Sequence, residues 1–526
     1  MRNLQILDCT LRDGGYCNEW NFGFENIQRI ITCLQDANID IVECGFLQDK
    51  GEYNSAKTIF TNLNQLEQFL PDDRNGKTYV VMVNFGHFNI ENLPNCEDTV
   101  IDGIRFAFHK NDRYDALEIC KKLKEKGYQV YVQPMVSMSY TDSEFLELVH
   151  LSNKIDPFAF YIVDSFGVMK KKDLIRLFYL IDHNLSNSVK LGYHSHNNMQ
   201  LAYSNAQALV HAESTRDIII DSSIFGMGRG AGNLNTELFI EYCNNNYIDK
   251  FNINPLLIVI DEILSKFYKL KPWGYSLPYY LSAKHNLHPN YAIYLNDKNT
   301  LSVEDFDEVF SMIPANRKMN YDKNYIADLY TEYMTTNIGN DKHKDELFKA
   351  LIGKEILLIA PGKSSQTEVD KIKEFVSENN VLIISVNFDY TEIETDFVFV
   401  SNKKRYQQLD SVDNRKLIIT SNIKGEDAYF KTKYIDLINN EESVKDNSGL
   451  MAIKMLMNFN LNKIYLAGFD GYSYNLEENY YSKKLELISQ NNVIDKLNKG
   501  MSKMLSIYAQ EVQIEFLTTP NKKNKE

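Results

Sequence analysis

Between residue 4 and about residue 245 eight short β-rich runs alternate with segments of helical period, and this alternation constrains the fold more than any other feature. The runs fall at 4–8, 39–45, 79–84, 102–107, 128–134, 158–163, 188–194 and 216–221. Amphipathic helices are predicted at 24–37, 55–69, 111–126, 141–154, 170–184, 198–211 and 234–246, with a short, irregular third connection. Eight such units within roughly 250 residues are the pattern of a closed parallel barrel. The prediction is an α/β chain that opens with a (β/α)8 TIM barrel over residues 1–270, with a doubly wound open sheet as the competing reading.

A barrel gathers reactive groups where its strands end and its loops begin. Those ends carry Asp8, Glu43, Asn84, Gln133, Asp164, His194 with His196, and Asp221. Acids, amides and imidazoles converging on one rim point to an enzyme.

Composition narrows the partners. At 526 residues the chain exceeds what one core supports, so a second domain is expected. A net charge of −14 argues against nucleic acid or an anionic membrane, and no apolar run is long enough to span a bilayer. The N-terminus enters a strand almost at once, without a charged-then-apolar leader pattern. Seven cysteines without a CxxC pair suit a reducing compartment, so a cytoplasmic location is expected. A homo-oligomer is expected as well. The basic tail 521–526 reads as a frayed terminus.

Three motifs carry the chemistry. After the first strand, Arg12 offers a planar cation, Asp13 a hard oxygen ligand, and Gly14-Gly15 a tight turn. His194 and His196, two apart on a strand end, point to one face of the sheet. A glycine-rich loop, Gly226-Met-Gly-Arg-Gly-Ala-Gly-Asn233, follows the last strand. Asp13 with the two histidines would make a three-ligand face for a divalent ion, and Asn233 could add a neutral oxygen. The alternative is a histidine pair hydrogen-bonded inside a polar barrel mouth.

Thr10-Leu-Arg-Asp-Gly14, Val163-Asp-Ser-Phe-Gly167, His194-Ser-His196 with Asn198, and the glycine loop resemble the metal-dependent barrel aldolases and lyases, the family of 4-hydroxy-2-oxovalerate aldolase and hydroxymethylglutaryl-CoA lyase. The resemblance covers roughly residues 1–290, and is nearer the aldolase branch because the loop holds Arg229 and no cysteine. It implies that Asp13, His194 and His196 ligate Mn2+ or Mg2+ ahead of Zn2+, that Asn233 is a further ligand, and that Arg12 supports an enolate. The substrates it implies are a 2-oxo acid such as pyruvate and an aldehyde. Glu43 and Asp164 would then be supporting or substrate-orienting groups. Where the aldolase branch commonly places a histidine base, this chain has Tyr16, a poor base at its ordinary pKa. A metal-bound hydroxide, Tyr16 lowered by a cation, or Tyr275 are the alternatives.

Residues 271–345 read as a helical extension on the barrel, with Thr336–Lys344 as the linker. A fresh α/β pattern occupies 346–526, with strands at 356–360, 381–386, 396–400, 417–420 and 463–467. It predicts a smaller Rossmann-like domain. Gly362-Lys-Ser364 is not a Walker motif, since Leu357 stands where its first glycine is required. Asp396–Asn402 and Ile464–Gly471 resemble nucleotide-sugar-binding domains of sialyltransferase-like proteins, implying a nucleotide sugar here and a place in surface-polysaccharide or sugar biosynthesis. A transferase acting through this domain, and a Claisen-type enzyme using an acyl-CoA, are the competing functions.

Overall fold

The computed structural model describes residues 3–335, 344–409, 413–424, 428–459, 461, 463–485 and 491–520. The expected linker therefore lies, up to residue 343, outside the described residues, as does the basic tail. The first sheet comprises β1 (Leu4–Asp8), β2 (Ile41–Leu47), β3 (Ile59–Phe60), β4 (Thr78–Asn84), β5 (Gly103–Phe108), β6 (Gln129–Pro134), β7 (Ala159–Asp164), β8 (Lys190–Ser195) and β9 (Ile218–Ser222). Its order is β1-β9-β8-β7-β6-β5-β4-β2-β3, every pairing parallel. Leu7 opposite Ile41 then joins β1 to β2 and closes an eight-stranded TIM barrel, with β3 an appendage on β2.

Strand parity sorts the barrel's side chains into two layers. Ile6, Val42, Val81, Ile104, Phe106, Val132, Ile162 and Ile220 pack outward in one large core. Leu7, Ile41, Val80, Tyr131, Tyr161, Val163 and Ile219 fill the lumen in another. Period two dictates which strand-end residues face inward. Glu43, Arg105, Gln133, His194 and Asp221 share the lumen parity. Asp8 and Asp164 share the outward one.

One predicted helix is absent. Residues 55–69 carry β3 and a 3₁₀ turn, Leu63–Leu66. Ile59 and Phe60 add to the edge of β2, and the Asn62 side chain accepts from the Gln65 amide, capping a short turn there. The other helices form, among them Phe24–Asp36, Arg113–Glu125, Asp142–Ile155, Lys171–Asp182, Ala202–Val210 and Thr236–Asn246. The third connection is irregular, as expected, with 3₁₀ turns at Ile90–Asn92 and Cys96–Asp98.

Contacts divide the chain into two compact units, Met1–Ile293 with Ala315–Tyr321, and Tyr294–Pro314 with Asp322–Glu526. The helical extension, read from sequence as one block on the barrel, is shared between them. The second unit holds a parallel seven-stranded sheet: β10 (Glu355–Ile359), β11 (Val381–Val386), β12 (Phe397–Val400), β13 (Leu417–Thr420), β14 (Phe430–Thr432), β15 (Lys463–Ala467) and β16 (Gln513–Phe516). Its order, β14-β13-β12-β11-β10-β15-β16, runs outward from β10 and then reverses across it, as in Rossmann-like folds. The two edge strands β14 and β16 are those the sequence did not predict; one is three residues long and the other largely exposed. Among the described residues no helix is long and apolar enough to cross a membrane.

Candidate metal centre

β1 leads directly into a helical turn, Thr10–Asp13, that carries Arg12 and Asp13 over the barrel mouth. Space, not φ, demands the glycines behind it. A Cβ on Gly14 would come within 2.3 Å of the Thr10 carbonyl, and one on Gly15 within 2.0 Å of the Trp20 ring. The glycine loop is laced to the end of β8: Asn197 N–H donates to the Gly232 carbonyl (2.8 Å) and Ala231 N–H to Asn198 Oδ1 (3.0 Å). His196 and Asn233 bridge in the same ladder. A Cβ on Gly228 would lie 2.2 Å from Asn233 Nδ2 and 2.7 Å from Asp13 Oδ2, so the loop can wrap the site only with glycine there.

This folding brings together Asp13, His194 and His196, all buried, with their ligand atoms within 4.8 Å of one another. His194 sets Nδ1 against Asp221 Oδ2 at 2.9 Å, which leaves Nε2 for a ligand. His196 Nδ1 lies 3.8 Å from Asp13 Oδ2 and has no hydrogen-bond partner among the described residues. Asn233 Nδ2 donates to Asp13 Oδ2 (2.7 Å), while its own Oδ1 is likewise without a partner. Two buried acceptors without donors, beside a carboxylate, are what a bound cation would satisfy. The donor set fits a divalent ion.

Charge leads to the same conclusion. Asp13 Oδ1 accepts from Arg12 (2.5 Å); Glu43 Oε2 accepts from Arg12 Nε (2.9 Å) and Arg105 (2.7 Å); Arg105 also pairs with Asp221, which holds His194. The chain Asp13–Arg12–Glu43–Arg105–Asp221 sets three carboxylates against two guanidiniums and so carries one net negative charge out of water. Burial pushes the Asp13 carboxyl up, but Arg12 foremost, then His196 and His194, hold it well below the usual carboxylate range. Burial lowers His196 to about 3, so its ring stays neutral and able to ligate.

The other expected residues are placed as follows. Glu43 is fully buried and orients Arg12 through the bond given above. Asp164 points away from the lumen; it accepts from the Val168 and Met169 amides (both 3.0 Å) and holds the loop after β7, and burial raises it to about 6. Tyr16 lies at the mouth with the Arg229 guanidinium 5.6 Å from its ring, yet burial outweighs that cation and raises its pKa. Its phenol is therefore not lowered by that cation. Tyr275 is 59% exposed and makes none of the contacts that join the others.

Two residues escaped the sequence reading. Arg105, fully buried, is an arginine at lumen parity in the strand Gly-Ile-Arg-Phe-Ala-Phe, a signal that was legible. His288 stands just before the helix Pro289–Lys298 of the extension. It sits edge-on to Phe166 (5.8 Å), and burial, then the charge of Arg229, lower its pKa well below the ordinary value. Phe46, Met82 and Ala107, with Tyr16, Trp20 and Met135, form an apolar wall beside Arg12, whose guanidinium lies 5.8 Å from the Phe46 ring.

The HMGL-like family model matches residues 3–250. A 4-hydroxy-2-oxovalerate aldolase of Geobacillus genomosp. 3 is 26% identical over 239 residues, which is 45% of this chain and 69% of the relative. One from Geobacillus thermodenitrificans is 24% identical over 243 residues, with the same shares. Among solved structures, the N-terminal domain of a candidate aldolase from Bacteroides vulgatus aligns at 27% identity and a TM-score of 0.50, over 57% of this chain and 98% of that one. Residues 3–250, a closed barrel with a buried ligand triad at its mouth, thus match the HMGL-like family model and are similar to carbon–carbon lyases.

Proposed function

We propose that the barrel is a divalent-metal-dependent aldolase that makes or breaks a carbon–carbon bond between a 2-oxo acid of the pyruvate type and an aldehyde. The observation that carries this reading is the buried triad Asp13, His194 and His196, with Arg12 bonded to one of its members. The relatives' activity on 4-hydroxy-2-oxovalerate, a 2-oxo acid, supports it. Mn2+ or Mg2+ bound there would supply Lewis-acid polarisation of the ketone.

The chain's own groups do the rest. Arg12 is held at Nε by Glu43 and at one terminal nitrogen by Asp13, which leaves the other terminal nitrogen to meet the negative charge that develops on the enolate oxygen. The apolar wall of Phe46, Met82 and Trp20 keeps water from the aldehyde side. A neutral His288, whose Nδ1 accepts from the Asn290 amide (3.2 Å) and whose Nε2 therefore carries the hydrogen, donates a hydrogen bond to the aldehyde oxygen, and Tyr16, whose phenol burial keeps protonated, can do the same.

Stripping the protein with chelator, restoring Mn2+ or Mg2+, and following pyruvate across an aldehyde panel tests the proposal. No metal stimulation with any aldehyde would defeat it. Product formation that depends on an acyl-CoA would move the assignment to a Claisen-type enzyme.

A second reading concerns the C-terminal unit, as a transferase that uses a nucleotide sugar. One observation favours it, a polar cleft at the reversal point of its sheet, lined by Gly362, Asn387, Asn402 and Asp470. Binding of a nucleotide sugar to the full chain, insensitive to His194→Ala, is the expected result.

A further inference from the structure

The cleft in the C-terminal unit opens at the carboxyl ends of β10 and β15, the neighbouring strands across which the sheet reverses. Loops leaving two such strands diverge to opposite faces, and the crevice between them is where open parallel sheets take ligands. Here the two turns at its floor approach closely for a local reason. A Cβ on Gly362 would stand 2.2 Å from the Gly468 carbonyl, and one on Gly468 would stand 2.1 Å from the Ala360 carbonyl. Gly468, at φ +72°, also adopts the left-handed conformation that favours glycine.

Among the described residues, one group lining this cleft is a buried cation whose partners are neutral. Arg405, just past β12, is 3% exposed. It donates to the Leu485 carbonyl and to Gln408 Oε1 (3.2 Å), both neutral, and its guanidinium lies 5.7 Å from the Tyr480 ring. Among the described residues no carboxylate pairs with it. The other cations of the cleft are provided for: Lys298 meets Glu442 at 3.2 Å and Lys445 meets the same carboxylate at 3.9 Å. A buried guanidinium without a counter-ion is unfavourable unless an anion completes it, and its planar fork suits phosphate oxygens.

A second positive element borders the same space. The ten-residue helix Ser448–Met457 begins at the cleft, and its cap Asn447 accepts from the Leu450 amide (3.1 Å). The amides of Ser448 and Gly449, which no helix can bond internally, remain at the cleft wall.

We propose that this cleft binds a phosphate ester, with its charged oxygens held by Arg405 and the first amides of helix Ser448–Met457 and its uncharged part lying over the Gly362 and Gly468 turns. The proposal takes the cleft from the second reading above and adds the anchor and the chemistry that anchor requires. Nucleoside diphosphates and sugar phosphates share that chemistry, and the test separates them.

Calorimetric titration of the full chain with UDP, CDP, a hexose 1-phosphate, UDP-hexose and CMP-sialic acid, against uridine, cytidine and free hexose, makes the test. At least one phosphate ester should bind, and its unphosphorylated counterpart should bind about tenfold or more weakly. Arg405→Gln should lower the ester's affinity by a similar factor, and Arg405→Lys should recover part of it. Circular dichroism and the barrel's metal-dependent pyruvate chemistry, measured on the same preparations, establish that the variants are folded. Failure of every ester to bind, equal binding of a bare nucleoside or sugar, or unchanged affinity in folded Arg405→Gln would each overturn the proposal. Binding of UDP, CDP or the hexose phosphate without either nucleotide sugar would uphold it while removing the nucleotide-sugar reading.

Discussion

The barrel mouth and the C-terminal cleft both bury ionised groups, but they leave opposite charges unanswered. In the barrel, five side chains from Asp13 through Arg12, Glu43 and Arg105 to Asp221 neutralise one another in sequence and leave one negative charge beside two imidazoles. In the cleft, Lys298 and Lys445 meet Glu442, Asp470 accepts from Ser364, and Arg405 has no carboxylate partner among the described residues. Both sites thus bury a charge. On the readings proposed above, a cation completes the barrel site and an anion the cleft.

The largest effect that would break this contrast is loss of the cation. His194→Ala or Asp13→Ala should abolish retention of Mn2+, read by elemental analysis, and lower pyruvate turnover by about a thousandfold or more, while leaving ligand binding in the cleft intact. Retained metal in either variant would remove the barrel's half of the comparison. Gly228→Ala comes next. Its methyl would strike Asn233 and Asp13, so Mn2+ affinity by calorimetry should fall on the order of a hundredfold with the fold preserved.

Arg105 tests whether the charge chain acts as a unit. Arg105→Met removes the cation shared by Glu43 and Asp221 and should cost about 3–5 kcal/mol in denaturant unfolding. It should also weaken Mn2+ binding roughly 10–100-fold through the His194 that Asp221 orients. A loss of stability with unchanged metal affinity would show that the chain is only structural.

The smallest effect concerns pH. Burial raises Asp8 and Asp164 from 3.8 to about 6, so the folded state holds their protons more tightly than the unfolded state does. That contribution is fully present below pH 4 and is lost as pH rises through about 6, by at most about 3 kcal/mol per group. Asp13 is shifted the other way, and its stabilisation is lost only on acidification below the ordinary carboxylate range. Unfolding free energies measured between pH 4 and 7 should therefore fall more steeply in the native chain than in Asp8→Asn. Equal slopes would count against a raised Asp8.

The barrel was legible because its signal is periodic: eight runs such as Leu4–Asp8 and Ile218–Ser222 bury both faces and stand out from the helices between them. The same periodicity could have sorted the strand ends. Asp164 shares its parity with Phe160 and Ile162, which pack outward, whereas His194 shares its parity with the lumen-facing Gly192. Choosing residues by their place at a strand end, without asking which way they face, left Asp164 undistinguished from the lumen-facing groups. Arg105 was passed over because it sits mid-strand, where its partners Glu43 and Asp221, 62 and 116 residues away, are set by closure and not by local pattern. Residues 55–69 have enough leucine and glutamine spacing to suggest a helix, but Asn62 as a cap and the pull of an open edge on β2 decide otherwise. Tyr275 was a candidate as a phenol on the helical extension, and its exposure is invisible to that argument.

The central claim is that a divalent ion binds between Asp13, His194 and His196. Anomalous scattering from crystals of the full chain grown with Mn2+ measures it most directly. The account predicts a single strong peak in the barrel mouth, coordinated by a carboxylate oxygen of Asp13 and one ring nitrogen from each histidine, that disappears in His194→Ala. A well-ordered mouth with no anomalous density at millimolar Mn2+, or a peak ligated by other residues, would contradict it.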